Sequence, residues 1–188
     1  MLYRDAILED FKNNKKNFEI ARKIYLSYPT YIFKHNKEDE FKIKDEISKF
    51  FGIQFRNIHI VGSAKTGESF VKKTKFIPSI SDLDIAIIDL GLFFTYLEKV
   101  FKATKGYREL TRFDSEDYGF FQENISKGIF KVDLMPICFE KRDIIKFFNE
   151  LSSKYSKLFD NINVSIYASE CFFEAKQGKA INKIRLEI

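Results

Sequence analysis

The sequence predicts an α/β domain whose sheet is mixed and mostly antiparallel, with helices on its flanks. Three short apolar runs with β-branched character carry polar residues or end in them, over residues 58–63, 81–88 and 130–136. This pattern is typical of strands that bring polar side chains to one edge of a sheet. Longer stretches before, between and after these runs repeat their apolar residues at helical spacing, and they predict the flanking helices.

The composition indicates a protein of one substantial domain. The chain has 188 residues, of which 45% are hydrophobic and 31% are charged, as in soluble globular proteins. We expect no secretory signal and no membrane span, and the distant Cys138 and Cys171 indicate reduced thiols in a cytoplasmic protein. The net charge of +5 is compatible with a nucleotide or nucleic acid as partner.

The domain divides into three consecutive parts. Residues 1–52 are predicted to form N-terminal helices packed on the core, 53–140 the core itself, and 141–188 a C-terminal helical segment of the same domain. The first helix is predicted over residues 3–26, with Asn13 and Asn14 weakening its middle.

A second helix is predicted over residues 37–51, and Gly52 supplies its C-terminal stop. The core then begins with the 58–63 run, whose end is a turn formed by Gly62 and Ser63. This turn is predicted to open a helix over 64–71.

A basic loop over residues 72–79 is predicted to lead into a strand over 83–88 and a helix over 92–103. The runs 120–125 and 129–134 flank Ser-Lys-Gly, which predicts a β-hairpin with a glycine-containing turn.

The tail is predicted to hold a helix over 141–159, a short strand over 164–167 and a last helix over 169–186. The last helix has a basic face made of Lys176, Lys179, Lys183 and Arg185.

Three aspartates are the candidate functional residues. Asp82 and Asp84 are two positions apart, so on a strand they share one face. Asp133 lies in a similar apolar run far downstream. Carboxylates that converge in this way repel one another and lose hydration, and a hard divalent cation such as Mg²⁺ would relieve both costs.

The order Gly62-Ser63, Asp82-Leu83-Asp84 and Asp133 resembles the signature of the DNA polymerase β-like nucleotidyltransferase superfamily. That pattern consists of a strand, a Gly-Ser turn, a strand with Asp-x-Asp and a third aspartate on a later strand.

The resemblance covers roughly residues 50–138. The stretch 62–68 followed by 81–84 is most similar to the branch that contains oligoadenylate synthases and bacterial cyclic-oligonucleotide synthases. Two departures are Glu68, where many bacterial members have threonine, and a chain much shorter than those synthases.

The resemblance implies the nucleotidyltransferase fold and transfer of a nucleoside monophosphate from a nucleoside triphosphate to a hydroxyl, with release of pyrophosphate. It implies that Asp82, Asp84 and Asp133 bind Mg²⁺ (or Mn²⁺) and act in catalysis. Gly62 and Ser63 would cradle the triphosphate, and Asp133 is the general-base candidate.

The acceptor is left open among a nucleotide, a protein side chain, as in antitoxin-type enzymes that modify their partners, and an RNA 3′ end. The short tail favours a small nucleotide or a protein over a long duplex. A hypothesis of another class is a catalytically silent binding or regulatory module on the same fold. The oligomeric state is not predicted.

Overall fold

The computed structural model describes residues 3–114 and 116–186, which form eight α-helices around a four-stranded mixed sheet. The helices are α1 (Tyr3–Lys12), α2 (Asn17–Ala21), α3 (Lys37–Phe51), α4 (Gly62–Thr66), α5 (Leu90–Ala103), α6 (Asp117–Ser126), α7 (Phe139–Lys154) and α8 (Glu170–Arg185). The strands are β1 (Ile58–Val61), β2 (Leu83–Ile88), β3 (Ile129–Lys131) and β4 (Ile162–Tyr167). The predicted parts 1–52, 53–140 and 141–188 also include residues 1 and 2, residue 115, and residues 187 and 188, respectively, which lie outside the described residues.

The sheet has the order β1-β2-β4-β3. The strands β1 and β2 are antiparallel, β2 and β4 are parallel, and β4 and β3 are antiparallel. Two of the three pairings are therefore antiparallel, which agrees with the predicted mixed, mostly antiparallel sheet. The short strand expected over 164–167 is longer than predicted and lies at the centre of the sheet.

Strict alternation of side chains gives the sheet two buried faces. One face, here called the α7 face, packs on α3, α5 and α7 through Ile58, Ile60, Leu83, Ile85, Ile87, Phe130, Ile162 and Ile166. The other, here called the α8 face, packs on α1, α2 and α8 through Val61, Ala86, Ile129 and Tyr167. The first helices and the last helix thus build one layer together, and an ion pair of Arg22 with Glu174 joins them.

The first predicted helix is interrupted where its two asparagines fall. Asn14 has a φ of 56°, a left-handed conformation that asparagine tolerates better than most residues. The chain then resumes in α2 and a π-helical turn over Arg22–Ser27. The carboxylate of Asp10 accepts hydrogen bonds from Lys15 and Lys23 at 2.8 Å, which hold this turn closed.

Capping residues set the end of α3, as predicted, and the start of α5, which lies at Leu90 and not at the predicted residue 92. Helix α3 has the predicted bounds, and Gly52 caps it in a left-handed conformation. Asp89 begins α5 by accepting a hydrogen bond from the Leu92 N–H at 2.8 Å. None of the described helices has both the length and the apolar character needed to cross a bilayer.

The predicted hairpin is wrong, because residues 120–125 belong to helix α6. In that helix the buried Phe121 packs on Phe113 and Phe130 instead of entering the sheet. Gly128, with a φ of 65°, turns the chain from α6 into β3, which pairs with β4.

The helix predicted over 64–71 is also wrong in length. It ends at Thr66 because Gly67 adopts a left-handed φ of 85°. Residues beyond it form the loop in which Glu68 bridges to Lys75.

Candidate functional site

A polar cluster interrupts the α8 face at the sheet edge where β2 and β4 begin. The register places Asp84 beside Asn163 and Ser165 beside Lys131. Because side chains two apart on a strand share a face, these four side chains form one polar patch across three strands. His59, whose ring lies 6.1 Å from that of Phe173, and largely apolar residues fill the rest of the face, so the patch stands at its open end.

Gly62 allows the Asp84 carboxylate to lie against the main chain. The glycine has a φ of +66°, and a Cβ atom built on it would lie 2.5 Å from Asp84 Oδ2. Both the backbone conformation and this close approach require glycine. The predicted contact of Gly62 with a triphosphate stays a prediction, and the group that the structure places against Gly62 is the Asp84 carboxylate.

Two hydrogen bonds stabilise the short helix that follows the Gly-Ser turn. The Nζ of the buried Lys65 donates a hydrogen bond to the carbonyl oxygen of Tyr28 at 2.6 Å, and burial lowers the pKa of Lys65 to about 8. The Ser63 carbonyl accepts a hydrogen bond from the Gly67 N–H at 2.8 Å. Helix α4 is too short to offer a helical N-terminus, and the phosphate contact of Ser63 stays a prediction.

Asp84 carries the perturbed carboxylate of the site. Burial raises its pKa, and the negative charge of Asp82 adds to this effect. A hydrogen bond from the Asn163 side chain and the positive charges of Lys72 and Lys131 act in the opposite direction. Asp82, which precedes β2, therefore acts electrostatically on Asp84, while a shared strand face for the two carboxylates stays a prediction.

The prediction that Asp133 stands on a strand is wrong, because β3 ends at Lys131. Asp133 lies in an exposed turn after β3, and β4 separates β3 from β2. Asp133 and Asp84 nevertheless line one cavity. Among residues 3–114 and 116–186, no group of three or more His, Cys, Asp and Glu side chains is arranged to hold a metal ion.

The donor set around Asp84 fits a magnesium ion that is only partly held by protein. Mg²⁺ in nucleotide enzymes is bound by one or two carboxylates together with phosphate oxygens and water. Asp82 and Asp84 provide two such carboxylates, and a bound ion would relieve the repulsion between them. A third carboxylate is not needed for this arrangement, so the role of Asp133 as a ligand stays a prediction.

Two cavities meet at the polar patch and share Asp84, Lys131, Asn163 and Ser165. The first, here called the basic lobe, has a volume of about 450 Å³. It lies between α8 and the segment 68–71, and its further polar lining is Gly62, Glu68, Ser69, Lys176, Gln177, Lys179 and Lys183. The second, here called the amide lobe, has a volume of about 500 Å³ and lies against α7. Its further polar lining is Asp133, Lys141, Asn149, Ser152 and Asn161.

The basic lobe gathers lysines from one face of α8. Lys176, Lys179 and Lys183 are spaced three and four residues apart, so they lie on one side of the helix. Partial burial lowers the pKa of Lys176, and the nearby positive charges of Lys131 and Lys179 lower it further. Lysines that lower one another's pKa in this way are stabilised in their charged form by a bound anion.

The two basic surfaces noted in the sequence contribute unequally. In the 72–79 loop, the charge of Lys72 acts on Asp84. Arg185 is used structurally, since it donates hydrogen bonds to Asn17 and Lys15 and covers the ring of Phe11.

Sequence reasoning did not single out Asn163 and Ser165 of β4. The alternation of Ile162, Val164 and Ile166 with these polar residues was a usable signal for a strand with one polar face.

No protein-family model, curated protein or solved structure matches this chain. The functional argument therefore depends on the geometry and chemistry of the cleft.

Proposed function

We propose that the cleft is the active site of a metal-dependent nucleotidyltransferase with the DNA polymerase β-like nucleotidyltransferase fold. The reaction transfers a nucleoside monophosphate from a nucleoside triphosphate to a hydroxyl acceptor and releases pyrophosphate. The observation that carries the proposal is the position of Asp84. It sits against Gly62, within the field of Asp82, at the mouth of a lobe lined by lysines.

The basic lobe suits the triphosphate of the donor. Its volume of about 450 Å³ lies within the roughly 300–1,000 Å³ typical of small-molecule sites. Lys176, Lys179, Lys183 and Lys131 surround it with positive charge, whereas its negative residues are Asp84 and Glu68. Glu68 lies 3.9 Å from the guanidinium of Arg4, which offsets its charge.

Asp82 and Asp84 would hold the divalent cation, which when bound neutralises triphosphate charge and activates the acceptor hydroxyl. The raised pKa of Asp84 fits a group that gains its full charge when a cation arrives. Lys131, at the junction of the lobes, lies where it can balance charge that develops on the transferred phosphate. Asp133, on the amide-lobe side, is placed to take up a proton from an acceptor there.

A second candidate is a module that binds nucleotide without turnover. The arrangement of Asp133 favours it, because Asp82, Asp84 and Asp133 do not form one metal-holding group within the described residues. The two candidates share a nucleotide in the basic lobe and differ in pyrophosphate release.

The test is incubation with each labelled triphosphate and Mg²⁺ or Mn²⁺, alone and with cell lysate, followed by measurement of pyrophosphate and labelled product. Metal-dependent release that Asp82→Asn removes supports the enzyme. The matched control is Asp45→Asn, which alters an ion pair with Lys49 on the exposed side of α3 and leaves the cleft intact. Thermal stabilisation by a triphosphate without pyrophosphate release would favour the binding module. If the triphosphate causes neither stabilisation nor release, both candidates are refuted.

A further inference from the structure

The amide lobe differs from the basic lobe in the charge it presents beyond their shared junction. The basic lobe adds three lysines of α8 and one glutamate. The amide lobe adds one carboxylate, Asp133, and one cation, Lys141.

The charged group of Lys141 contacts other parts of the protein and is not directed to a ligand. Lys141 is buried, with 8% of its surface exposed, and its Nζ donates a hydrogen bond to the carbonyl oxygen of Met135 at 2.7 Å. The same Nζ lies 3.8 Å from Asp114 Oδ2. Lys141 is thus engaged in local contacts, whereas Asp133 is exposed.

The remaining polar groups of the amide lobe are neutral. Asn149, Asn161 and Asn163 are exposed and carry neutral amides, and Ser165 adds a hydroxyl at the junction. The Asn161 amide donates a hydrogen bond to Asp160 at 2.9 Å, and that of Asn163 bonds to Asp84. The Ser152 hydroxyl has its donor occupied, because it donates to the Phe148 carbonyl, and it also accepts from the Ile162 N–H. Amides donate and accept hydrogen bonds without charge, which suits hydroxyl and amine groups.

The apolar wall of the lobe completes this picture. Ile144, Ile145 and Phe148 project from α7, and Val164 adds to them from β4. A cavity of about 500 Å³ with an apolar wall and a few neutral polar groups is typical of a site for a compact organic molecule.

We infer that the amide lobe binds the acceptor, and that the acceptor is a small hydroxyl-bearing molecule, neutral or amine-bearing, that carries no phosphate. This inference rests on the proposed function. A nucleotide or an RNA end placed here would bring its phosphates towards Asp133 and Asp84, and Lys131 alone would oppose that repulsion. An amine would instead be attracted by Asp133.

The transfer places each group where the charges of the two lobes suit it. The acceptor hydroxyl oxygen in the amide lobe bonds to the α-phosphorus, and the bond from that phosphorus to the oxygen bridging to the β-phosphate breaks. Pyrophosphate leaves into the basic lobe, with the bonding electron pair on its oxygen. The hydroxyl proton passes to the Asp133 carboxylate and from there to water. The products are an acceptor–nucleoside monophosphate diester and pyrophosphate.

The inference is tested with matched acceptor pairs that differ by one phosphate. Adenosine is compared with adenosine 5′-monophosphate, and glucosamine with glucosamine 6-phosphate, each with a labelled triphosphate and Mg²⁺. We expect kcat/KM to be at least about tenfold higher for the phosphate-free member of each pair that reacts, which corresponds to about 1.4 kcal/mol.

A charge added to the lobe sharpens the test. Asn149→Lys places a cation in the amide lobe and should reduce the discrimination against the phosphorylated acceptor about tenfold. Asp143→Asn raises the net charge by the same amount on the opposite side of α7, outside the lobe, and should leave the ratio unchanged. Both positions are exposed, so neither change opens a cavity in the core.

Three results overturn the inference while leaving the proposed function in place. They are a preference for the phosphorylated acceptors, transfer to an oligonucleotide in preference to every phosphate-free acceptor, and labelling of a protein from lysate in preference to small molecules. A failure to bind or consume any triphosphate with Mg²⁺ or Mn²⁺ overturns the proposed function, and the inference falls with it.

Discussion

The two lobes of the cleft share one wall and differ in nearly everything else. The basic lobe is made by one face of α8, where lysines recur every three or four residues. The amide lobe is made by α7 and the start of β4, where asparagines and a serine stand over apolar side chains. Under the proposed function, this difference in charge would place polyphosphate on one side of Asp84 and an uncharged or cationic group on the other.

The shared wall is also where the protein accepts an electrostatic cost. Burial and Asp82 both disfavour the charged form of Asp84, and the lysines of the basic lobe disfavour one another. Charged groups in unfavourable electrostatic surroundings are frequent at functional sites, because a bound ligand can relieve the unfavourable interactions.

The largest expected effect is that of Asp84→Asn, which removes charge at the junction with little change in volume. Losing a ligand of the bridging cation should lower kcat/KM by about a hundredfold or more. Pyrophosphate release under saturating Mg²⁺ measures this loss.

The same variant should be more stable than the parent at neutral pH. A group whose folded pKa is raised contributes stability below its unfolded pKa and loses it as pH rises through the folded pKa. Burial and the neighbouring Asp82 disfavour the charged form of Asp84, and asparagine carries no charge, so the change should raise the Tm by about 3 °C. Retained activity together with a lowered Tm would contradict this account of Asp84.

A second large effect is expected for Gly62→Ala. The new Cβ would meet Asp84 Oδ2 at 2.5 Å in a left-handed backbone conformation. We expect a loss of about 1–3 kcal/mol in the free energy of unfolding, together with loss of pyrophosphate release. Denaturant melts and activity assays measure the two.

Gly119→Ala is the matched control for that change. Gly119 lies inside α6 at an ordinary φ, and a Cβ there meets no atom within 4 Å. The control should keep full activity and gain up to about 1 kcal/mol in stability. An active Gly62→Ala variant would show that the close approach to Asp84 is dispensable.

A smaller effect is expected from the basic lobe. The double change of Lys176 and Lys179 to Gln should raise the KM for the triphosphate about tenfold and leave the KM for the acceptor unchanged, because it removes two phosphate-facing charges. Lys146→Gln, at an exposed position of α7, serves as control. Equal effects on both KM values would mean that the lobes do not divide the ligands.

The smallest expected effect is that of a long duplex. The lysines of the basic lobe lie inside one cleft, so they can meet only a few phosphates. Affinity measured across a salt series should be weak and its slope shallow. A slope corresponding to about six or more phosphates would put a polymeric acceptor first.

Local signals allowed much of the fold to be predicted from the sequence. Gly52 set the end of α3, and apolar runs with β-branched character gave β1 and β2. The segment 120–125 was assigned to a strand because a short apolar run fits both periods, and its packing on Phe113 decided for a helix.

The candidate site was predictable only in part, because part of it depends on contacts between distant segments. The proximity of Asp82, Asp84 and Gly62 follows from strand spacing and from adjacent strands. The central position of β4 depends on a parallel pairing between segments about 80 residues apart, which no local pattern reveals. That pairing moves Asp133 away from β2 and brings Asn163 beside Asp84.

The most direct test of the proposed division is triphosphate binding with and without Mg²⁺, measured by titration calorimetry with an analogue whose α–β bridge resists cleavage. The account predicts that Mg²⁺ tightens binding at least about tenfold in the parent protein. It also predicts that this gain disappears in Asp84→Asn, while the lysine double variant binds more weakly but keeps its response to Mg²⁺. Binding that ignores Mg²⁺, or that Asp84→Asn leaves unchanged, would contradict the claim that Asp84 joins a cation to the triphosphate in the basic lobe.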